Sequence, residues 1–273
     1  MHLFVLFFYT MQKKTYLCLP QPTLLTMIHR IHFTETTSTN AIAREQLPQS
    51  PSPLLLITAD YQTAGRGQRC NKWEASPATN LLFTLALRPT MVKASEQFIV
   101  CELISVVLCE VLSHYVPCLR IKWPNDIYYR DHKLCGILIE HDIYGANLDK
   151  TLIGVGLNVN QTHFISDAPN PISLFHILGH TTDREALLTA IVNAFAEQYQ
   201  SLLTSPDATQ WSSAMHTRYT SLLYRLNTPA LYHDAQGIFR ATLHHVETDG
   251  RLCLEDEQGT LRSYLFKEVA YVI

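Results

Sequence analysis

The most constraining feature of this sequence is a regular exchange of strand-like and helix-like segments between Ile31 and about residue 222. Short apolar runs at 54–59 and 80–87 end at polar residues or proline, as buried strands do. Between such runs, residues 94–115 place apolar side chains at helical spacing. The exchange predicts an α/β (α+β) fold, in which helices pack on a mixed central sheet.

Other segments continue this pattern. Four are strand-like: 31–36, 119–123, 133–140 and 151–159. Three are helix-like: 41–47, 183–203 and about 207–222. We expect the strands 133–140 and 151–159 to pair with each other through a turn near Gly145 and Asn147.

The last fifty residues follow a different pattern. Short strand-like segments recur at 229–233, 237–247, 251–256 and 261–266. Asp249 followed by Gly250 is a strong hairpin signal. Strands at this spacing predict a small SH3-like β-barrel. We therefore predict a domain of residues 27–222 and a C-terminal barrel of residues 223–273.

Residues 1–26 fit neither pattern. The run MHLFVLFFYT is apolar, but its basic pair, Lys13 and Lys14, follows it, whereas a secretory signal begins with positive charge. We expect translation to start at Met27, which makes residues 1–26 an extension outside the fold. A poorly ordered N-terminal arm is the alternative.

Composition excludes several classes of protein. An apolar fraction of 47% supports a packed core, and a net charge of −3 argues against a strongly basic nucleic-acid coat protein. Seven cysteines with no C-x-x-C pair argue against a disulfide scaffold or a structural zinc site, and they fit reduced thiols in the cytoplasm. No run approaches the roughly 18 apolar residues of a membrane span.

The stretch QTAGRGQRCNKWE, residues 62–74, suggests an anion-binding loop. It has two glycines within three residues, followed by basic side chains. Glycine lets the backbone approach a ligand closely, and backbone N–H groups together with arginine suit a phosphate. A solvated connection between two strands is the alternative.

The segment KWPND, residues 122–126, places Lys122 at the end of a strand, before a tryptophan and a stiffening proline. A lysine fixed there can stabilise negative charge that develops during acyl or phosphoryl transfer. The alternative is a strand-end lysine that faces water. Asn125 and Asp126 suit either a metal or a turn.

Three other patterns have simple structural explanations beside functional ones. GVGLNVN at 154–160 lacks the G-x-G-x-x-G spacing, because Val159 takes the place of the third glycine, and a core strand explains it better. The STN at 38–40 suits a helix cap or a polar ligand group. The histidine pairs His29/His32 and His244/His245 lack a third metal ligand at suitable spacing, so we expect surface or core histidines.

The order and spacing of STN, QTAGRGQR with NKW, KWPNDI, KLCGILIE and GVGLNVN resemble those of the bacterial biotin–protein ligases (biotin–acetyl-CoA-carboxylase ligases). The resemblance covers residues 31–160 closely and the C-terminal strands more loosely. It implies a class II synthetase/biotin-ligase-like fold and an enzyme that uses biotin, ATP and Mg²⁺. The implied acceptor is a lysine of a biotin carboxyl carrier domain, in acetyl-CoA carboxylase or a related carboxylase.

The resemblance also implies roles for individual residues. The implied biotin site comprises Ser38, Thr39, Asn40, Gln62, Arg66, Gly67, Gln68, Lys122, Gly136 and Ile137. The implied nucleotide site comprises Arg66, Arg69, Trp73, Lys133 and Asn158. Arg66 and Lys122 would be the catalytic residues that stabilise charge, and Asp126 is a weak candidate for a metal ligand.

Two departures from the family pattern lie in the glycine-rich loop. Family members often carry arginine at the position of Gln68 and glycine at that of Cys70. The first departure leaves open how Arg66 and Arg69 divide their roles. The Cys70 thiol lies close in sequence to Arg69 and Lys72, which leaves open a redox-sensitive loop or an inert cysteine.

Other functions fit the sequence less well. A biotin-responsive repressor would need a helix-turn-helix module, and only about thirty residues precede Ile31, so we expect no nucleic-acid binding. A lipoate–protein ligase shares the fold, but the GRGQR and KWPND motifs favour biotin. The retained Arg66 and Lys122 argue against a non-catalytic biotin-binding protein. The resemblance leaves monomer and homodimer open.

Overall fold

A computed structural model describes residues 28–67, 72–165 and 170–273. Seven strands form a mixed sheet in the order β1-β2-β3-β7-β6-β5-β4, in which only the β1–β2 pair is parallel. The strands are β1 (Ile28–Thr36), β2 (Leu54–Gln62), β3 (Leu81–Leu87), β4 (Leu119–Lys122), β5 (Asp126–Tyr129), β6 (His132–Tyr144) and β7 (Asn147–Leu157). The helices are α1 (Thr39–Gln46), α2 (Phe98–Ser113), α3 (Leu174–Leu178), α4 (Arg184–Thr204) and α5 (Ala208–Ser221). The predicted mixed α/β class is confirmed.

The two faces of this sheet are covered unequally. Side chains alternate between faces along a strand, so in β2 Leu54 and Leu56 join the main core, whereas Leu55 and Ile57 join a small cluster under α1. We call the face toward the main core, which α2 and α4 cover, the closed face. The face that carries α1 is the open face, because α1 packs mainly on β2, β3 and β7 and, in the described part of the chain, leaves the rest of that face free of helices.

The C-terminal strands form a second, antiparallel sheet. They are β8 (Pro229–Asp234), β9 (Gly237–Val246), β10 (Leu252–Asp256), β11 (Leu261–Tyr264) and β12 (Ala270–Tyr271), in the order β11-β10-β9-β8-β12. The expected closed barrel is not formed: β12 has only two paired residues, which bond to β8, and no ladder joins it to β11 within the described residues. The sheet is therefore open.

The turn of the β9–β10 hairpin docks on the larger part of the molecule. The indole Nε1 of Trp123 donates a hydrogen bond to the carbonyl of Gly250, at 2.9 Å. Gly250 has a φ of +94°, and a Cβ atom there would lie 2.5 Å from the ring of Phe98. Only glycine combines this backbone conformation with so close an approach. The boundary near residue 222 stays a prediction.

The structure differs from the sequence prediction in several elements. Strands β5 and β12 and helix α3 were not predicted, and residues 94–96 form a separate 3₁₀ turn before α2. The expectations for residues 1–26 and for Gln68, Arg69 and Cys70 lie outside the described residues. No helix in the described ranges combines the length and the apolarity needed to cross a membrane.

Candidate active site

A cleft of about 480 Å³, including its mouth, opens on the open face beside α1. Its walls come from the start of α1, the end of β2 with the following loop, and the middle of β6 and β7. The lining residues are Ser38, Thr39, Asn40, Gln62, Arg66, Gly67, Trp73, Asp126, Lys133, Gly136, Ile137, Leu138, Gly154, Val155 and Gly156. A few polar and charged side chains thus converge on one concave surface, as they do in small-ligand sites.

Glycines make the floor of the cleft. Gly136 on β6 is paired with Gly156 on β7, and the indole of Trp73 lies over both. A Cβ atom at Gly136 would lie 2.6 Å from Trp73 Cζ3, and one at Gly156 would lie 2.4 Å from Trp73 Cε2. The floor thus lets a flat group lie against the backbone. The buried Nε1 of Trp73 has no hydrogen-bond partner among the described residues, so a polar ligand atom could satisfy it.

A buried polar network holds the side chains at the start of α1. The carboxamide oxygen of Gln62 accepts a hydrogen bond from the backbone N–H of Thr39 at 2.7 Å. The hydroxyl of Thr84 lies 2.8 Å from the hydroxyl of Thr39 and 2.6 Å from Asn40 Oδ1. Asn40 Nδ2 donates to Glu140 at 2.8 Å. These contacts fix hydroxyl and amide groups in one orientation, as recognition of a polar ring requires.

Two cations stand at the cleft, each beside a carboxylate. Lys133 Nζ lies 2.7 Å from Asp126 Oδ2, and its ammonium is 5.8 Å from the centre of the Trp73 ring. Arg66 lies 3.6 Å from Glu140 and is half-exposed. Because a guanidinium and an ammonium both bind carboxylate and phosphate oxygens, this end of the cleft suits an anionic group.

Comparison with known proteins identifies this region. Residues 31–158 match the model of the Biotin/lipoate A/B protein ligase family. They form a domain of that family. The matched range ends just after β7, so the ligase domain contains all seven strands of the central sheet except the first residues of β1.

Relatives and solved structures agree with this domain. The bifunctional ligase/repressor BirA of Bacillus subtilis is 28% identical over 86% of this chain and 72% of its own length. The biotin–[acetyl-CoA-carboxylase] ligase of Paracoccus denitrificans is 29% identical over 82% of this chain and 93% of its own. The fold is that of the biotin protein ligase from Aquifex aeolicus in complex with biotin and ATP, with a TM-score of 0.71, 23% identity, and coverage of 88% of this chain and 97% of that one. Together, these findings support a biotin protein ligase.

The structure brings most of the predicted residues of the ligase domain together, but it does not place Lys122 in the lining of the cleft. The Nζ atom of Lys122 lies 3.3 Å from the hydroxyl of Tyr128 and 5.3 Å from the centre of the Tyr271 ring. Burial, together with the nearby Asp126, raises the pKa of Tyr128 well above its usual value. The lysine that lines the cleft is Lys133.

Asn158 and Ile137 are both buried, the first outside the cleft and the second in its lining. Asn158 is buried, donates to the carbonyl of Ile172 at 3.0 Å and lies 3.4 Å from the amide of Asn80, outside the cleft lining. Ile137 lines the cleft, but its side chain is 2% exposed and belongs to the main core. Ser38 precedes α1 as the N-cap, and its side chain makes no capping bond.

Several residues of the site were missed. Thr84 and Glu140 hold the polar network, and Gly154 leaves room for Asn40, because a Cβ there would lie 2.4 Å from Asn40 Oδ1. Gly156 completes the floor. The sequence contained a signal for both Gly154 and Gly156. Residues two apart on a strand share a face, so a G-x-G inside a predicted strand places two positions without side chains next to each other on that face.

Proposed function

We propose that this protein is a biotin–protein ligase that activates biotin with ATP and transfers it to a lysine of a biotin carboxyl carrier domain, in acetyl-CoA carboxylase or a related carboxylase. The observation that supports this best is the cleft itself. A glycine floor at Gly136 and Gly156 lies between fixed amide and hydroxyl groups and the cations Lys133 and Arg66. Biotin has a matching layout: a compact ring with a polar ureido group, an apolar chain and a terminal carboxylate.

Each part of the ligand then has a partner. Thr39, Asn40 and Gln62 would bind the ureido group, because their network already fixes them. The ring would lie on the glycines of β6 and β7, and the carboxylate would extend toward Lys133. The Trp73 ring would then have to share or leave its place over Gly136 and Gly156.

The first chemical step joins biotin to the nucleotide. An oxygen of the biotin carboxylate attacks the α-phosphorus of ATP, the bond to the β-phosphate breaks, and pyrophosphate leaves. Lys133 takes the role that the sequence assigned to Lys122: its ammonium, oriented by Asp126 at 2.7 Å, would stabilise charge on the carboxylate and the α-phosphate. Mg²⁺, when bound, neutralises charge on the triphosphate, and Asp126 offers the oxygen ligand that it prefers.

The second step transfers biotin to the acceptor. A lysine amine of the carrier domain attacks the carbonyl carbon of the mixed anhydride, loses its proton, and AMP leaves. Arg66 follows a strand and begins a loop whose base is held by the bond from Trp73 N to Gly65 O at 3.0 Å. A half-exposed arginine on such a loop can close over the adenylate and keep water away from it. Gln68 and Arg69 stay predicted contributors to this closure.

The state of the cysteines supports a cytoplasmic location. All five cysteines that the structure describes, which are Cys101, Cys109, Cys118, Cys135 and Cys253, are free. Free thiols are typical of a reducing compartment. We infer that the ligase acts there on its carrier domains.

Intact-mass analysis of an apo biotin carboxyl carrier domain tests the function. We expect the mass of one biotinyl group to be added with protein, biotin, ATP and Mg²⁺, and no addition without ATP or when arginine replaces the acceptor lysine. Lipoate is offered in parallel. Addition of lipoyl alone, or of neither group, would overturn the proposal.

A further inference from the structure

Three side chains with metal-binding chemistry meet on the β9–β10 hairpin, far along the chain from the cleft. They are His245 near the end of β9, Glu247 just after it, and Cys253 on β10. Their ligand atoms all lie within 4.8 Å of one another. His245 Nε2 is 3.0 Å from Glu247 Oε1, and Cys253 Sγ is 3.8 Å from the same oxygen. None of the three lines the cleft.

These separations match those between ligands of one small cation. Bonds of about 2.0–2.3 Å at tetrahedral angles place neighbouring ligand atoms roughly 3.3–3.7 Å apart. The two measured separations bracket that range. The two separations to Glu247 therefore fit a single ion, and the third, between His245 and Cys253, lies within 4.8 Å.

The strand pairing explains why the cluster forms. Cys253 is directly opposite His245 in the antiparallel ladder, and Glu247 lies two residues after His245, which places it on the same side. A hydrogen bond from Glu247 N to Arg251 O at 2.8 Å closes the turn between them. Spacing along the sequence hides this arrangement, because the third ligand is contributed by the returning strand.

Neighbouring side chains orient the ligands. His244 Nδ1 and His245 Nδ1 are 2.8 Å apart, so one of them donates to the other. Without a cation, the Nε2–H of His245 donates to the Glu247 carboxylate. When a cation takes the place of that proton, the remaining N–H of His245 is at Nδ1 and donates to His244. A metal-binding histidine is usually held by such a bond from its second nitrogen. Ser263, opposite Cys253 on β11, hydrogen-bonds the sulfur.

We propose that His245, Glu247 and Cys253 form a binding site for a borderline divalent cation such as Zn²⁺, with solvent as the fourth ligand. The combination of one nitrogen, one carboxylate oxygen and one thiolate favours Zn²⁺ over Mg²⁺ or Ca²⁺, which prefer oxygen ligands alone. On binding, the metal–sulfur bond replaces the S–H bond, and the thiol proton goes to solvent.

A cation bound at this site would stabilise the β9–β10 hairpin in its docked position. Its turn carries Gly250, whose carbonyl accepts the hydrogen bond from Trp123 in the KWPND segment. A cation that joins positions 245, 247 and 253 fixes the two strands on either side of this turn. We therefore expect bound Zn²⁺ to raise the thermal unfolding midpoint of the whole chain.

Cobalt titration of the full chain tests the site without reference to ligase activity. Serine replaces Cys18, Cys70 and Cys118, which leaves the buried thiols Cys101, Cys109 and Cys135 and the proposed ligand Cys253. One equivalent of Co²⁺ should produce the near-ultraviolet thiolate-to-cobalt charge-transfer band, and one equivalent of Zn²⁺ should remove it. Cys253→Ser should abolish the band.

Matched variants separate ligands from neighbours. His245→Ala and Glu247→Gln should each weaken Zn²⁺ binding at least about 100-fold, and Ser263→Ala about tenfold, as loss of an outer hydrogen bond does. His233→Ala, an exposed histidine on β8, should leave the affinity unchanged. Absence of the band in the serine background, or its persistence in Cys253→Ser, would overturn the proposal. If Cys253→Ser does not fold, unchanged Zn²⁺ affinity in the exposed Glu247→Gln variant overturns it instead.

Discussion

The closed and open faces of the seven-stranded sheet share the same strands but differ in what those strands present. On the closed face, Phe83, Leu85 and Ile153 are fully buried under α2 and α4. On the open face, the neighbouring positions of β6 and β7 carry glycines, and α1 covers only part of the sheet. A ligand site thus arises where one layer of the fold is left incomplete and the strands beneath it lack side chains.

This difference predicts that substitutions on the two faces change different properties of the protein. On the closed face they should change the free energy of unfolding and leave the ligand affinity of folded protein alone. On the open face they should change binding or catalysis and leave stability nearly constant. The following predictions are ordered by expected effect.

Truncation of a closed-face aromatic should have the largest effect. Phe83→Ala removes a fully buried ring and should lower the free energy of unfolding by about 3–5 kcal/mol. Urea denaturation measures this. Leu261→Ala, at a half-exposed position on β11, is the control and should cost no more than about 0.5 kcal/mol. A loss below about 1 kcal/mol for Phe83→Ala would contradict the assignment of this face as the main core.

Removal of the Lys133 ammonium from the cleft should have the second-largest effect. Lys133→Met should reduce biotin-dependent pyrophosphate exchange about 10²–10³-fold, as loss of one charge-stabilising donor does. Because the Lys133–Asp126 pair is partly exposed, the free energy of unfolding should change by less than about 1 kcal/mol. Lys93→Met, at an exposed lysine paired with Glu96, is the control. A larger loss in Lys122→Met than in Lys133→Met would return the role to Lys122.

Filling the glycine floor should have a smaller effect. In Gly156→Ala, the new Cβ would lie 2.4 Å from the Trp73 ring, so the indole has to move. We expect the dissociation constant for biotin, measured by calorimetry, to rise about tenfold, which corresponds to the lower range of overpacking costs. An unchanged affinity together with an unchanged tryptophan fluorescence spectrum would show that the floor is not in contact with the ring.

The smallest expected effect is a pH dependence of the free energy of unfolding, which arises in the helices that cover the closed face. The buried Glu102 on α2 lies 2.6 Å from His216 on α5. Desolvation raises the pKa of Glu102, and the hydrogen bond that His216 donates to the Glu102 carboxylate raises the pKa of His216. The folded state therefore holds more protons than the unfolded state. The contribution of His216 to stability is full below the usual histidine pKa and is lost as pH rises through the raised value, and the raised pKa of Glu102 adds a fall that begins above the usual glutamate pKa.

We expect this fall in the free energy of unfolding to be about 1 kcal/mol, which is the upper range for a single partly exposed ion pair. Urea denaturation at a series of pH values measures it, and Glu102→Gln should flatten the curve because His216 then loses its partner. The same slope in the variant and in the unaltered protein would assign the pH dependence to other groups. His233→Gln, at an exposed histidine on β8, should leave the slope intact.

The sequence predicted the strands of the central sheet well, because their apolar runs are long and interrupted by clear turns. It did not distinguish the two faces. The run 54–59 is buried on both sides, so its periodicity is lost, and only the packing separates Leu54 from Leu55.

The choice between Lys122 and Lys133 shows a second limit. Which lysine reaches the cleft depends on how β4, β5 and β6 pair, and a register shift between Ile127 and Tyr128 changes that pairing. Strand β5 was not predicted at all, so the sequence offered no means to place Lys133 beside Asp126. Cross-strand neighbours such as His245 and Cys253 escape sequence reasoning for the same reason.

Gly250 sets a condition on exchanging parts of this protein with others. Any hybrid in which residues 223–273 are replaced has to present a turn that tolerates a left-handed conformation and leaves the ring of Phe98 unobstructed. A donor with alanine or a larger residue at that point would push its hairpin away from α2 and from Trp123. The absence of one methyl group at position 250 therefore decides whether a grafted C-terminal part is compatible with the rest of the protein. A donor protein should be chosen first by the residue in this turn and only then by its overall sequence similarity.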